Sequence, residues 1–477
     1  MHIIDISIFI AYMIGMLGFG FYFLKKNKGG DDYYVGGRSM NSLHVGLSVV
    51  ATDVGGGFSI GLGGLGFTMG LSGSWMLFTG LLGAWLAAVF LIPKVKGNPV
   101  FDTAFTFPEV FKYYFNAKVA LVAGVISAVG YAGFTSAQIL AGAKLANGTF
   151  QGLDLQTAIY IMGTVAVVYT VLGGLKAVIY TDTVQWAFLM TGLVFVGLPI
   201  SYHAVGGWEA IQTQIDPKML TLTNITWQDI VYWGATILPI WFVGMTLYQR
   251  IYACRDEKTA KKAWYLAGLF EWPIMAFMGV SLGLLAKVAA AQGMFEYLGP
   301  ENISDTDPET GLPMLLRTVL PVGLLGIMMS AYFSAILSTA DSCLMASSGN
   351  VVTDIIGYVT DVDHNDPAFL RFSQIATLII GVFALLVAST MDSVLDLMLQ
   401  SYAFMVSGLF VPILGALYWK KSSATGAIAA MIIGGSTTVA IQQLVEQIPF
   451  GLDANVFGIT ASAIVFFSLS KLFPDDD

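Results

Sequence analysis

Ala51-Thr52-Asp53-Val54-Gly55-Gly56-Gly57 lies inside an apolar stretch, residues 43–70, long enough to cross a bilayer. An acid followed closely by three consecutive glycines is a poor centre for a continuous helix, because helical glycine costs about 1 kcal/mol relative to alanine. Close packing between membrane helices also uses glycine and is the competing reading. The acid favours a site, since an ionisable group at membrane depth is costly and turns toward a partner or a cavity.

The rest of the chain fits that environment. Of 477 residues, 56% are hydrophobic and 11% charged, with mean hydropathy +0.74. A soluble domain carries about 25% charged residues. Folded in water, this chain would expose far more apolar surface than a monomer tolerates. The composition therefore predicts an all-α polytopic membrane protein, a single membrane domain over 1–477. The 53 glycines suit close helix contacts and interrupted helices. A net charge of -9 with no basic face excludes nucleic-acid binding. Cys254 and Cys343 suggest no disulfide framework, and His2, His44, His203 and His364 form no metal motif.

Apolar runs predict about thirteen spans, near 3–24, 43–70, 73–94, 118–147, 157–172, 177–201, 228–250, 263–290, 320–348, 370–390, 394–419, 425–445 and 456–471. The first lacks the basic start and small-residue cleavage site of a signal peptide. With the N-terminus outside and the C-terminus cytoplasmic, 18 of the 22 Lys and Arg fall in or beside cytoplasmic segments, the exceptions being Lys144, Lys218, Lys287 and Arg317. The expected location is a plasma membrane, the bacterial inner membrane.

The seventh span contains Ile237-Leu238-Pro239-Ile240-Trp241-Phe242-Val243-Gly244, and Pro239 is expected to break or kink it. The second interruption comes five spans after the first, so the interrupted helices run in opposite directions. Residues 43–201 and 228–419 could thus be inverted five-helix repeats, with 3–24 an extra helix before them and 425–471 two after. Paired interruptions in matching positions point to a transporter's midplane site.

The ninth span carries Ser334-Ala335-Ile336-Leu337-Ser338-Thr339-Ala340-Asp341-Ser342, which places Ala335, Ser338, Thr339 and Ser342 on one helix face. Such hydroxyls can simply bond back to their own backbone. Three hydroxyls and an acid close together instead suggest oxygen ligands for a hard cation, which also accepts backbone carbonyls. Carbonyls freed around Ala51–Val54 would lie at the negative end of a half-helix dipole. Asp182 in the sixth span adds an acid. A cation could sit between spans two and nine, and a second between six and nine. Protonated, hydrogen-bonded structural acids are the alternative for Asp182 and Asp341; Asp53 and Glu271 stay ambiguous.

These patches resemble the sodium:solute symporter family, as a bacterial member. The resemblance rests on Tyr34-Val35-Gly36-Gly37-Arg38, on 51–57, on Gly173-Gly174-Leu175-Lys176-Ala177-Val178-Ile179-Tyr180-Thr181-Asp182-Thr183-Val184-Gln185, and on 334–342. It implies a LeuT-like 5+5 inverted repeat, no enzyme activity, and sodium-driven alternating access. A main sodium site would comprise carbonyls of Ala51, Val54 and Ala335 with hydroxyls of Ser338 and Thr339. A second would comprise Asp182, Ser338, Asp341 and Ser342, although the family often has Ser where this chain has Asp341. The implied partners are one or two Na+, a small organic solute and the lipid bilayer, with no obligate protein partner evident.

Family-like positions for the solute are Asp53, Gly55, Gly56, Phe58, Phe134, Gln138, Trp241 and Phe242, with aromatic packing as the alternative for each aromatic. The triple glycine resembles the choline-transporter branch. Asp53 resembles the proline-transporter branch and stands where the former has a cage aromatic. No arginine is expected in a cavity position, which disfavours an anionic sugar acid. An amino acid such as proline, a related zwitterion or a carboxylate is the expected solute. A proton-coupled carrier, a choline, betaine or sugar symporter, a membrane enzyme and a sensor on a transporter scaffold are the rivals. The chain shows no nucleophile–base pair, metal spacing or nucleotide loop.

Overall fold

Apolar length makes the helices, and polar caps set where they start. Asn41 accepts backbone N–H from Leu43 and His44 at 3.1 and 3.0 Å and opens one helix. Asn116 does the same for Lys118 and Val119, and Thr226 and Asp229 form a reciprocal capping box. Each cap answers N–H groups that a helix start leaves unpaired.

The computed structural model describes residues 2–24, 34–53, 56–150, 152–173, 175–298, 304, 306–360 and 367–475. Its principal helices are α1 Ile3–Leu24, α2 Ser42–Asp53, α3 Gly56–Met69, α4 Trp75–Leu86, α5 Ala117–Thr149, α6 Leu155–Gly173, α7 Leu175–Gly192, α8 Trp227–Val243 and α9 Met245–Ala253. They continue with α10 Glu257–Leu269, α11 Ala276–Ala291, α12 Pro308–Val319, α13 Leu324–Gly349, α14 Pro367–Ala388, α15 Val394–Tyr418, α16 Ala424–Leu444 and α17 Ala454–Leu472. Among the described residues, nine helices are long and apolar enough to cross a membrane, ten if the bent pair α8–α9 counts as one span. The expectation of about thirteen is not at odds with this. Ile3–Met16 and Leu155–Val171 are shorter apolar helices, and Ser59–Val95 merges two expected spans. Gly70, at φ +76°, turns the chain between those two.

α13 lies at the centre and is almost wholly buried, packing on α5, α7, α1 and α14. The extra helix α1 is pinned to it by Asp5, whose Oδ1 accepts from Gly323 and Gly326 N–H at 2.7 and 2.9 Å. α3 and α11 meet backbone to backbone. A Cβ at Gly283 would sit 2.0 Å from the Gly63 carbonyl oxygen, and one at Gly66 would sit 2.2 Å from that of Val280. This is the small-residue contact expected where lipid gives helices no hydrophobic reason to associate.

Three expectations change. The seventh span does not break at Pro239, which lies inside α8; the chain leaves the helix at Gly244 (φ −69°, ψ 110°), and α8 and α9 bend by 41°. The Tyr131 hydroxyl of α5 sits beside this break. It receives the Thr246 N–H at 3.4 Å and lies 3.1 Å from the Thr246 hydroxyl. It also lies 3.1 Å from where a Gly244 Cβ would be. A neighbouring helix thus re-satisfies the freed backbone. Second, Arg250 is no cytoplasmic loop charge: it is fully buried on α9. Third, the eighth span has its own interruption, at Trp272 (φ −137°, ψ 124°) before Pro273.

Two charges outside the expected cytoplasmic set are answered locally. Lys144 pairs with Asp307 and Glu309, at 2.7 Å each. Glu309 also accepts the Val394 and Leu395 N–H groups that start α15, at 2.9 Å each. Arg317 donates to the Thr149 carbonyl at 2.6 Å.

The α3–α11 contact is testable. Gly283→Leu should lower the melting temperature through overpacking of about 1–3 kcal/mol. Gly234→Ala, with open space around its position, should not. Equal melting temperatures for Gly283→Leu and wild type in a tryptophan-fluorescence melt would contradict the close contact.

Candidate cation and solute site

The end of α2 and the middle of α13 meet here. Ala51 is among the last described residues of α2. The Thr339 hydroxyl donates to the Ala51 carbonyl at 2.9 Å and also contacts the Ala335 carbonyl at 3.2 Å. Three of the five residues expected at a main sodium site are therefore in mutual contact. Ser338 is one helical position away and turns to Asp182, donating to its Oδ1. Val54 lies outside the described residues.

Next to this contact is a buried ion pair. Arg250 Nη2 lies 3.4 Å from Asp182 Oδ2, and both side chains are fully buried. Nη2 also donates to Thr52 Oγ1 at 2.5 Å and Ser342 Oγ at 2.8 Å, and Nη1 donates to the Thr246 carbonyl at 3.2 Å. Ser48 accepts from Arg250 Nε at 3.0 Å and donates to Asp182 Oδ2 at 2.5 Å. Breaking such a pair would leave one buried charge uncompensated, so its hydrogen bonds matter as much as its Coulomb attraction. The expectation of no arginine near the cavity is thereby corrected. Arg250 ends an apolar run and reads like a cytoplasmic anchor, but it sits one turn past a break that carries it inward.

Of the residues expected at a second cation site, the structure brings Asp182, Ser338 and Ser342 together around Arg250. Asp341 faces another way. Its Oδ1 accepts from the Thr170 hydroxyl of α6, and its Oδ2 has no hydrogen-bond partner among the described residues.

The expected solute positions divide into two groups. Asp53 ends α2 and accepts from the Tyr402 hydroxyl of α15 at 3.3 Å. The Tyr402 ring stacks on Phe134 with centroids 4.6 Å apart and planes 15° apart. Gln138, one turn beyond Phe134 on α5, accepts the Gly57 N–H at 3.1 Å. A Cβ at Gly57 would lie 2.4 Å from the Gln138 amide, so a larger residue there would displace that side chain. Gly56 opens α3. Gly55 and the Phe58 side chain lie outside the described residues. Trp241 and Phe242 form the second group. Trp241 is fully buried edge-on to Trp264, against Gly83 of α4. Phe242 meets Phe410 of α15 at 5.9 Å.

Sequence reading missed Ser48, Thr52, Thr170 and Tyr402. Ser48 and Thr52 are four residues apart on α2 and share a face, a signal that was present. Nothing local distinguishes Tyr402 from any other aromatic in an apolar run.

Known proteins can now be set beside this geometry. The High-affinity proline transporter PutP of Bacillus subtilis (strain 168) is 28% identical over 488 residues, covering 96% of this chain and 98% of that protein. The Osmoregulated proline transporter OpuE of the same strain is 28% identical over 442 residues, 90% and 86% of the two chains. A sodium-coupled sialic acid symporter, solved substrate-bound and outward-open, superposes with TM-score 0.80 at 22% identity over 99% of both chains. Mhp1, a nucleobase-cation-symport-1 transporter in a closed conformation, superposes with TM-score 0.57 at 13% identity over 93% of this chain and 95% of that one. Residues 33–434 match the profile of the Sodium:solute symporter family. The chain therefore belongs to that family of sodium-coupled, multi-pass membrane transporters, is not an enzyme, and has the LeuT-like all-helical fold.

Proposed function

We propose that the chain is a sodium symporter for a small amino-acid-type solute, with proline or a related zwitterion or carboxylate as the cargo class. The observation that carries the sodium half is the Thr339 hydroxyl on the Ala51 carbonyl, a direct polar contact between α13 and the end of α2. In this reading Na+ binds the carbonyls of Ala51, Val54 and Ala335 and the hydroxyls of Ser338 and Thr339. A second ion uses Asp182, Ser338 and Ser342, and Asp341, the fourth expected ligand, joins them only by leaving the Thr170 hydroxyl. The solute lies among Asp53, Gly55, Gly56, Phe58, Phe134, Gln138, Trp241 and Phe242. The end-to-end likeness to proline transporters supports the solute class.

The mechanism follows from what those contacts join. Sodium ties α13 to α2 and favours one access state; solute binding then permits the inner path to open. As α13 moves away from α2, the oxygen set divides and sodium leaves. Coupling requires each ion to bind one state more tightly than the other. The membrane potential adds about 2.3 kcal/mol per charge per 100 mV. In this reading 43–201 and 228–419 are the two repeats that move against each other, flanked by 3–24 and 425–471. The N-terminus is outside, the C-terminus is cytoplasmic, and the membrane is the bacterial inner membrane.

Uptake of radiolabelled L-proline into proteoliposomes, with sodium or potassium outside, tests this directly; equal uptake in both would count against sodium coupling. Thr339→Ala should raise the half-saturating sodium concentration about tenfold, the equivalent of about 1.4 kcal/mol for a lost contact to a charged group. An unchanged sodium curve would remove Thr339 from the site. Asp182→Asn leaves Arg250 without its counter-charge and should destabilise the protein by about 3 kcal/mol or more. Asp182→Asn with Arg250→Gln should recover much of that loss and still change the charge moved per solute in voltage-clamped uptake. An unaltered ratio would eliminate the second ion.

A further inference from the structure

The interruption of the eighth span places a second acid at the solute site. Glu271 lies in the irregular turn Phe270–Met275, where Trp272 leaves the helical region and Pro273 offers no N–H. It is fully buried. Its carboxyl lies within hydrogen-bonding reach of Asp53. When both are ionised, the two carboxylates offer each other only acceptors, and among the described residues outside the pair no N–H or O–H donates to either Glu271 oxygen; the pair is closed by a proton held between the carboxyls or by a donor from outside. The wall behind it is bare by design: a Cβ at Gly80 would lie 2.1 Å from Glu271 Oε2, so α4 has a glycine where the carboxyl points. Arg250, the buried cation on α9, is committed to Asp182, Ser48, Thr52 and Ser342. The Asp53 side of the pair carries the Tyr402 hydroxyl and, beyond it, the stacked Tyr402–Phe134 rings.

We infer that Glu271 is the specificity-determining residue for a solute bearing a protonated amine, whose ammonium N–H groups lie between the Glu271 and Asp53 carboxylates. The chemistry of the pocket carries this. Two adjoining acids at membrane depth, with no side-chain cation on them among the described residues, are closed by a proton or by a positive partner; an ammonium supplies both the charge and the donors. The inference deepens the amino-acid reading and rests on it for the solute's location, but it names the group recognised and not the solute.

The test uses purified full-length protein in saturating sodium and solutes in matched pairs, with and without nitrogen, L-proline with cyclopentanecarboxylate and L-alanine with L-lactate, and choline as a cation without N–H. Wild type is expected to bind the amine of a pair and to discriminate against its nitrogen-free partner. Glu271→Gln keeps the size of the side chain and removes its charge. It should weaken the amine by about 30-fold or more, as expected for truncating a buried charge pair, with sodium-induced stabilisation retained. Wild-type affinity of Glu271→Gln for the amine would overturn the inference, as would a wild-type preference for the nitrogen-free partner. If Glu271→Gln does not fold, Glu271→Asp, which draws the charge back by one methylene, must reduce the preference for the amine; an unchanged preference overturns the inference. Binding of L-alanine without L-proline would sink the proline reading while leaving Glu271 to be judged by the same variant, and binding of choline as tightly as either amine would overturn the N–H contact.

Discussion

A guanidinium with no solvent contact sets the terms for the centre of this molecule. Arg250 must have a counter-charge and partners for its N–H groups, and it finds them on four different segments: Asp182 on α7, Ser48 and Thr52 on α2, Ser342 on α13 and the Thr246 carbonyl on α9. A buried ion pair contributes little net stability, since desolvation offsets attraction. Its effect is on specificity of arrangement. In this arrangement the Arg250 partners on α2, α7 and α13 hold those helices together beside the Thr339–Ala51 contact. The proposed sodium contact and the buried pair are thus adjacent parts of one polar seam between α2 and α13.

That seam explains why the interruptions fall where they do. A polar seam inside a membrane protein needs backbone groups that are free to bind and side chains that answer the others. α8 gives way to α9 at Gly244, and the eighth span loses its regular course at Trp272. Around these points and around Asp53 and Gly57 stand Tyr131, Tyr402 and Gln138, each contributing one polar group from a long, unbroken neighbour. Regular helices hold the frame and irregular backbone lines the site. The division also suits transport, because helical ends can separate without unfolding a span.

The two acids near the solute positions contrast with the ion pair. Asp182 has a permanent cation, whereas Glu271 and Asp53 have each other. The first arrangement is complete in the protein alone. The second is closed by a proton between the carboxyls or by a positive group from outside, and the proposed amine contact is of the latter kind.

Much of this was open to inspection in the chain. Apolar runs of bilayer length determined an all-helical membrane protein, because every backbone group in lipid must be bonded within its own segment. The Asp53 and triple-glycine stretch and the hydroxyl-rich 334–342 run marked the elements of the cation site, since polar groups at such depth are rare without cause. What the chain alone could not decide was which polar groups meet. Arg250 and Lys144 look alike in sequence, each a charge at the end of an apolar run. One turns inward past Gly244 to Asp182, and the other caps its neighbours through Glu309. Asp341 reads as a partner of Ser338 but points to Thr170, and the seventh span passes Pro239 intact only to break at Gly244. Spacing along a helix fixes the face of a residue, not the helix opposite. Partners from α5, α6, α7 and α15 are set by packing between segments far apart in sequence, and that information exists only in the folded chain.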